Sequence, residues 1–199
     1  SGAVYTPAFL VNFLIDECLP LSSKQLNGNV KLIDASCGSG IFLVMAFKRL
    51  VQRWRILNRK EGKLADTNPS ILKNILTNNI FGVDVDKNAT ALTIFSLNLS
   101  LCSMLTPKQI WTELAFDNLK TSGNIVEKDF FEYLIENKPS NFDLVIGNPP
   151  FKAINENKYL YYSNKLKENG LAFSCKIPDN QLALMFLEKT LDILVDNGM

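Results

Sequence analysis

Four short apolar segments, two of them followed by long helical patterns, constrain the fold of this chain more than any other feature. The segments are 30–34, 79–85, 125–126 and 142–147. After the first and the second, apolar residues recur at intervals of three and four over 41–57 and 87–104, which places them on one face of a helix. Strands that alternate with helices predict an α/β fold with a mostly parallel sheet and helices on both faces.

The other predicted elements surround this sheet. Thr6-Pro7 predicts the start of a helix, because proline is favoured at the first helical position, and Pro20 predicts its end. Elsewhere we predict a short helix at 71–76, a closing helix at 181–195 that stops at Asn197-Gly198, and loops over 58–70 and 154–176.

Each predicted strand is followed by residues that suit a ligand site. The first runs into a turn of small residues (35–40, here the glycine turn), and the second and third end at Asp84 and Asp129. The fourth ends at Asn-Pro-Pro-Phe (148–151, here the NPPF motif). Such a turn is common and such an acid often only caps a helix. Ligands of parallel sheets nevertheless bind beyond the carboxyl ends of the strands, so the agreement of all four predicts a site there.

The NPPF motif is the most specific of these signals. Two prolines fix the backbone and remove two donors, which leaves carbonyl oxygens free to accept hydrogen bonds. Asn148 adds an acceptor and Phe151 a flat face for stacking. This combination suits a planar ring that carries an amino group. The alternative is a rigid loop that only closes the sheet, and the apolar strand that precedes the motif disfavours it.

The composition excludes several chemistries. The sequence contains no histidine, which removes every nucleophile that depends on a Ser-His or Cys-His pair. The four cysteines form no Cys-x-x-Cys pair, so neither a zinc site nor a disulfide framework is predicted. We therefore expect no bound metal and a reducing, cytoplasmic environment. No run of eighteen apolar residues predicts a membrane span.

Together these motifs resemble the adenine-N6 DNA methyltransferases of restriction–modification systems, in the class whose cofactor motifs precede the catalytic motif. The resemblance covers nearly the whole chain and implies a Rossmann-like S-adenosylmethionine-dependent methyltransferase fold. The matching segments are Tyr5-Thr6-Pro7, 34–40, 82–86, Asp129-Phe130, the NPPF motif and 180–189. The chain departs from the pattern in two places: Ala-Ser stands where the family often has Pro-Ala, and the insertion at 58–70 lengthens the gap before the ribose motif.

The resemblance implies a site for S-adenosylmethionine beside a site for an adenine flipped out of DNA. The implied cofactor-binding residues are Thr6, Asp34, Ser36, Cys37, Gly38, Gly40, Asp84, Asp129, Phe130 and Phe186. The implied catalytic residues are Asn148, Pro149, Pro150 and Phe151.

Each group has an implied role. Thr6 and the glycine turn would hold the methionine part of the cofactor, Asp84 its ribose hydroxyls and Asp129 its adenine amino group. Asn148 and the carbonyl of residue 149 would accept the two hydrogens of the target amine. The aromatic ring of the NPPF motif would stack on the target base.

The family sheet has seven strands, whereas four are predicted here. We therefore predict that residues 1–199 are an incomplete catalytic domain, truncated after the fourth strand and without a target-recognition domain. The fourth strand is expected to be an unpaired edge. We expect weak or absent methylation by this piece alone, with a separate or fused recognition domain and nuclease as partners.

Three alternatives stay open. A methyltransferase of the same fold that acts on protein glutamine or RNA would use a similar motif, because a glutamine amide resembles the adenine edge. The Tyr-Thr-Pro element and the placement of the basic segment 48–63 favour DNA, although a solvated helix face also explains that segment. A catalytically silent cofactor-binding partner and a nicotinamide dehydrogenase are disfavoured by the intact NPPF motif.

Overall fold

A computed structural model of the chain describes residues 6–22, 29–114, 123–139, 141–196 and 198–199. Within these ranges the strands are β1 (Leu32–Asp34), β2 (Ile80–Asp84), β3 (Ile125–Glu127) and β4 (Leu144–Val145). The helices are α1 (Ala8–Cys18), α2 (Ile41–Leu57), α3 (Pro69–Asn79), α4 (Lys87–Cys102), α5 (Pro107–Thr112), α6 (Phe130–Asn137), α7 (Glu156–Glu168) and α8 (Leu182–Leu191), with a 3₁₀ turn at Pro178–Asn180. Two predictions fall outside the described residues: Tyr5 as part of a matching segment, and Asn197 as part of the helix stop.

The sheet is parallel, as predicted, with strand order β3-β2-β1-β4. The chain builds outward from β1 through β2 to β3 and then crosses to the other side of β1 to form β4. The loops after β1 and β4 therefore leave the sheet in opposite directions and open a crevice between them, the switch point where ligands of such sheets bind. The described part of the chain contains no helix that is long and apolar enough to cross a membrane.

Helices cover both faces of the sheet, which confirms the predicted layers. One apolar cluster packs α1, α2, α3 and α4 against the first face, with Leu43 and Phe47 fully buried. The other packs α6, α7 and α8 against the second face around Phe131 and Met185. Because both faces are covered, the strands read as short continuous apolar runs rather than as an alternating pattern.

The predicted bare edge at β4 is wrong. The backbone of the last described residues lies along its outer side: Phe142 N–H donates to the Ile193 carbonyl (3.1 Å) and Val195 N–H to the Phe142 carbonyl (2.9 Å). Farther along, Val145 N–H donates to the Met199 carbonyl at 2.7 Å. The segment after α8 thus satisfies backbone groups that an open edge would expose.

The prediction of a loop over 154–176 is also wrong, because α7 lies within it. Asn155 caps this helix by accepting from Lys158 N–H at 2.9 Å. Tyr162 and Leu166, four residues apart, face the core. Lysines and asparagines elsewhere on the helix concealed this spacing. The short helices α5 and α6 were not predicted, α3 begins at Pro69, and α8 ends at Leu191 rather than near 195.

Candidate active site

The carboxyl ends of all four strands border one open cavity of about 310 Å³. Such a volume is at the lower end of the range of about 300–1,000 Å³ typical of small-molecule sites. The predicted site residues on its wall are Ser36, Gly38, Asp84, Asp129, Phe130, Phe186 and the whole NPPF motif. The structure therefore brings together ten of the residues singled out from the sequence, from five separate segments of the chain.

The glycine turn is held in place by the acid at the end of β2. Gly38 N–H donates to Asp84 Oδ2 at 2.8 Å, and Asp86 N–H donates to Asp84 Oδ1 at 2.9 Å. Gly40 has a φ of 83°, and a Cβ there would lie 2.8 Å from the Thr93 side chain, so only glycine fits. Thr93 in turn donates to the Gly38 carbonyl at 2.8 Å. Contacts with Asp84 and Thr93 therefore fix the conformation of the glycine turn without a bound ligand.

Asp34 lies beneath the cavity rather than on its wall. Its side chain is 1% exposed and accepts from Ser36 N–H at 3.0 Å. Burial raises the pKa of this carboxyl from its ordinary 3.8 to about 7; the Ser36 amide acts against that shift and the charge of Asp84 adds to it. A Cβ at Gly147 would collide with Asp34 Oδ1, so the glycine before the NPPF motif lets β4 pass close to this acid.

Three other predicted residues support the site from behind its wall. Thr6 accepts a hydrogen bond from the Asn148 side chain, and Gly40 packs against Thr93 of α4. Cys37 is buried, and its burial raises the pKa of the thiol well above 9.0, so the thiol stays protonated and packs as an apolar group.

Asp129 follows β3 by two residues and caps α6. Its Oδ1 accepts from Phe131 N–H at 3.0 Å, and its Oδ2 accepts from the Tyr162 hydroxyl at 2.7 Å. Next to it, Phe130 and Phe186 stack with ring centroids 4.9 Å apart. The arrangement gives this end of the cavity a carboxylate beside an apolar aromatic wall.

The NPPF motif faces the glycine turn across the crevice. Ser36 Oγ donates to the Asn148 carbonyl at 3.2 Å, and Asn148 Nδ2 donates to Thr6 Oγ1 at 3.1 Å. The amide nitrogen of Asn148 is thus used within the chain, and the side-chain oxygen is an acceptor. Within the described ranges, the Pro149 carbonyl accepts no hydrogen bond from the protein. Phe151 is 68% exposed at the mouth of the cavity.

Backbone bonds fix the chain just after the motif. Lys152 N–H donates to the Pro150 carbonyl at 3.1 Å, and Leu182 N–H donates to the Lys152 carbonyl at 2.9 Å. Ile154 N–H donates to the Asn180 carbonyl at 3.0 Å. The start of α8, which carries the aromatic wall, is therefore tied directly to the loop that would hold a base.

Several cavity residues were missed by the sequence analysis: Lys128, Lys152, Lys158 and Tyr162. Val85 and Leu182 also line the cavity and lie within the matching segments 82–86 and 180–189, although neither was singled out. The important one is Tyr162, which lies on the helix that was predicted to be a loop. The signal that could have found it is the four-residue spacing between Tyr162 and Leu166, which marks a buried helical face.

The basic segment 48–63 does not border the cavity. It occupies the later part of α2 and the loop beyond, and α2 begins at the glycine turn and runs away from it for 17 residues. Arg53 donates to the Pro20 carbonyl at 3.1 Å and Arg55 to the Ala65 carbonyl at 2.9 Å. Arg49 bonds to the Leu19 carbonyl and forms an ion pair with Asp16. These three arginines hold neighbouring loops, whereas the other basic residues of the segment are exposed: Lys48, Arg59, Lys60 and Lys63.

In the part of the chain that the structure describes, no group of three or more histidine, cysteine or acidic side chains could hold a metal ion.

A protein family matches the second part of the chain, and individual relatives align with most of the chain. Residues 78–199 match the profile of the Eco57I restriction-modification methylase family. The chain is 26% identical over 229 aligned residues to the type II restriction enzyme and methyltransferase RM.Eco57I of Escherichia coli, covering 98% of this chain. It is 25% identical over 182 residues to the adenine-specific methyltransferase PglX of Streptomyces coelicolor, covering 76% of this chain.

Solved structures of restriction-modification enzymes have a fold similar to that of this chain. The ATP-dependent type ISP restriction-modification enzyme LlaBIII, solved bound to DNA, superposes over 100% of this chain with a TM-score of 0.68 at 15% identity. The M protein of the type I restriction enzyme EcoKI covers 98% of this chain with a TM-score of 0.61 at 16% identity. The chain therefore has the Rossmann-like fold of S-adenosylmethionine-dependent methyltransferases.

These proteins are much longer than the chain. It spans 22% of RM.Eco57I, 14% of PglX, 14% of LlaBIII and 32% of the EcoKI M protein.

Proposed function

The chain belongs to the Eco57I restriction-modification methylase family, and on this premise we propose that it transfers a methyl group from S-adenosylmethionine to the N6 amino group of adenine in DNA. One observation supports the proposal above all. The hydrogen bond from Ser36 Oγ to the Asn148 carbonyl joins the glycine turn to the NPPF motif, so a donor site and an acceptor site share one cavity.

The residues present fit the cofactor. Asp84 uses each of its oxygens for one backbone N–H, and a carboxylate oxygen can accept a second hydrogen bond, as two ribose hydroxyls would require. Gly38 has a φ of 53° and no atom within 4 Å of the position of a Cβ, so its face is open for close approach of a ligand. The methionine part would lie over the glycine turn near Thr6.

The other end of the cavity fits the cofactor's adenine. Asp129 offers acceptors for the ring's amino group, while Phe130 and Phe186 provide an apolar wall. The N–H of residue 130 lies at the start of α6, where the helix leaves its first amide groups without partners inside the helix. It would donate to a ring nitrogen.

The target amine would be held by the NPPF motif. The side-chain oxygen of Asn148 and the Pro149 carbonyl are two acceptors at adjacent positions, and Phe151 supplies a face on which the base can stack. Extruding a base from a duplex costs a few kcal/mol. Stacking on Phe151 offsets about 1–3 kcal/mol of it.

Bound S-adenosylmethionine supplies an activated methyl group on a positively charged sulfonium. The adenine amine is a poor nucleophile, because its lone pair is delocalised into the ring. Two acceptors that grip its hydrogens favour a more pyramidal nitrogen whose lone pair can point at the methyl group. As the nitrogen–methyl bond forms, the methyl–sulfur bond would break to leave a neutral thioether, and the amine would then release one proton to solvent through the open cavity. The same oxygens would stabilise the positive charge that grows on the nitrogen, so this chain contributes position and fixed dipoles rather than a strong base.

We further propose that residues 1–199 form the catalytic methyltransferase portion of a restriction–modification enzyme in the cytoplasm. The relatives' greater length supports other segments as the source of sequence recognition and, where present, of nuclease activity. The chain alone would then methylate weakly, because nothing would hold a particular DNA sequence against the cavity.

A labelled methyl-transfer assay tests the reaction. The purified chain is mixed in excess with tritiated S-adenosylmethionine and offered a DNA duplex in which one adenine lies opposite an abasic site, so that little energy is needed to extrude it. We expect label in N6-methyladenine, and none when that adenine is already N6-methylated. Label that appears instead in RNA or in protein glutamine would contradict the proposal, as would the absence of cofactor binding by calorimetry.

A further inference from the structure

Tyr162 makes a contact that joins the two halves of the cavity. It lies on α7, which begins only five residues after Phe151, yet its hydroxyl donates to Asp129 Oδ2 at the opposite end, 2.7 Å away. The side chain is 6% exposed and lines the cavity.

The surroundings of Tyr162 keep its hydroxyl in the role of a donor. Its ring packs against Phe131 with centroids 4.7 Å apart, and Lys158 Nζ lies 5.5 Å from the ring centroid. The pKa of the phenol lies well above its ordinary value of 10.0. Burial is the main cause, and the hydrogen bond to Asp129 is the second. The hydroxyl therefore keeps its proton and donates it in the hydrogen bond to the Asp129 carboxylate.

Asp129 is consequently fixed at both oxygens. The amide of Phe131 holds Oδ1 and the Tyr162 hydroxyl holds Oδ2, so the carboxylate cannot rotate without losing a hydrogen bond. Each oxygen has room for a second hydrogen bond. What remains open on the cavity side is a pure acceptor in one orientation, which suits an amino group and repels a carbonyl oxygen.

We propose that Tyr162 is a positioning residue: it orients Asp129 so that the site selects a cofactor with an amino group at position 6 of its purine. The inference rests on the proposed function, since it takes the cofactor's adenine to lie beside Asp129.

The test compares two ligands and measures binding, not turnover. Calorimetry gives the Kd of the chain for S-adenosylhomocysteine and for its hypoxanthine analogue, which carries a 6-oxo group in place of the amino group. We expect the wild-type chain to prefer the adenine compound by roughly 100-fold, and Tyr162→Phe to lower that preference roughly tenfold by weakening the adenine compound selectively. The variant keeps the ring and its packing, so it should fold.

Tyr161→Phe is the matched control. It removes the same hydroxyl from the neighbouring residue, which is 49% exposed and contacts Glu132 and Lys165 instead of Asp129. Its preference should equal that of the wild type.

Equal weakening of both ligands in Tyr162→Phe would show that the residue only packs, and an unchanged pair of Kd values would show that it does nothing for the cofactor; each overturns the inference. A wild-type chain that binds neither compound would overturn the proposed function as well. Methylation of RNA or protein would reject the DNA substrate while leaving the preference ratio, and hence this inference, standing.

Discussion

The side of the cavity that we propose for the cofactor is held by hydrogen bonds within the chain, whereas the side proposed for the target base is more open. Asp84 and Asp129 each accept two hydrogen bonds, one from a neighbouring backbone N–H and one from a distant part of the chain. On the other side, Phe151 is largely exposed, and the Pro149 carbonyl accepts no bond from the described residues. The difference matches the sizes of the two proposed ligands. A small cofactor can be enclosed by a shaped wall, but a base that remains attached to DNA needs an open mouth.

The largest effect should come from the open side. Asn148→Ala removes an acceptor that acts on charge developing in the transition state, so we expect the single-turnover methyl-transfer rate to fall by at least roughly 100-fold. The cofactor Kd should change less than about threefold. Asn148→Asp, which keeps an oxygen acceptor, should retain more activity than the alanine variant. Wild-type rates in Asn148→Ala would remove this residue from the reaction.

The next effect should come from the enclosed side. Asp84→Ala removes the acceptors proposed for the ribose and loosens the Gly38 amide, so we expect the cofactor Kd to rise roughly 30-fold, measured by calorimetry. Asp86→Ala is the control, because this nearby acid caps α4 but does not line the cavity. If the two variants bound the cofactor equally well, the ribose assignment would be wrong.

Phe151 should matter for DNA and not for the cofactor. Phe151→Ala should weaken binding to a duplex with an extruded adenine roughly tenfold, because stacking on one base contributes about 1–3 kcal/mol. Phe151→Tyr keeps the aromatic face and should bind as the wild type does. Fluorescence anisotropy of labelled DNA measures both, and a loss of cofactor affinity in Phe151→Ala would contradict the division into two sides.

Asp34 lies between the two sides and should make stability depend on pH. Its pKa is raised from 3.8 to about 7 in the folded chain, so between these values the folded state holds a proton that the unfolded state has lost. Stability from this group is therefore present at low pH and decreases as pH rises from about 4 to about 7, by up to about 1.4 kcal/mol per pH unit. Asp34→Asn should flatten this slope in urea unfolding; an identical slope would place the titration elsewhere.

The smallest effect separates a backbone requirement from a ligand requirement. Gly38→Ala and Gly170→Ala both place alanine at a positive φ with no atom within 4 Å, so each should lose about 1 kcal/mol of stability. Gly38 lines the cavity and Gly170 does not. Only Gly38→Ala should reduce the rise in melting temperature that saturating cofactor produces. Equal rises in both would mean that the glycine turn is not in contact with the cofactor.

Local pattern predicted most of the cofactor side. The strand segments and the ends at Asp84 and Asp129 follow from apolar runs that stop at acids, and the structure places these acids on one cavity wall as expected. The missing parts came from longer-range packing. Tyr162 was missed because α7 has a polar majority. Three arginines of the basic segment 48–63 bond to the carbonyls of Leu19, Pro20 and Ala65, which the sequence pattern did not indicate.

The strand that looked clearest in sequence is the shortest in the structure. Residues 142–147 are almost continuously apolar, but β4 is only Leu144–Val145, because the chain around it bonds to the segment after α8 and to the loop before β1. A run of apolar residues indicates a segment that is buried on both faces, but it does not indicate which residues form backbone hydrogen bonds with that segment.

The sequence by itself determined the layered α/β fold, the four strand ends that carry the site and the chemistry available at each, because periodicity and residue type are local properties. Tertiary structure alone decided which residues meet: that Asp34 lies under Gly147, that Tyr162 reaches Asp129, and that the last residues cover β4. The physical reason is that each of these contacts joins residues far apart in the chain, and their approach depends on the packing of every element between them.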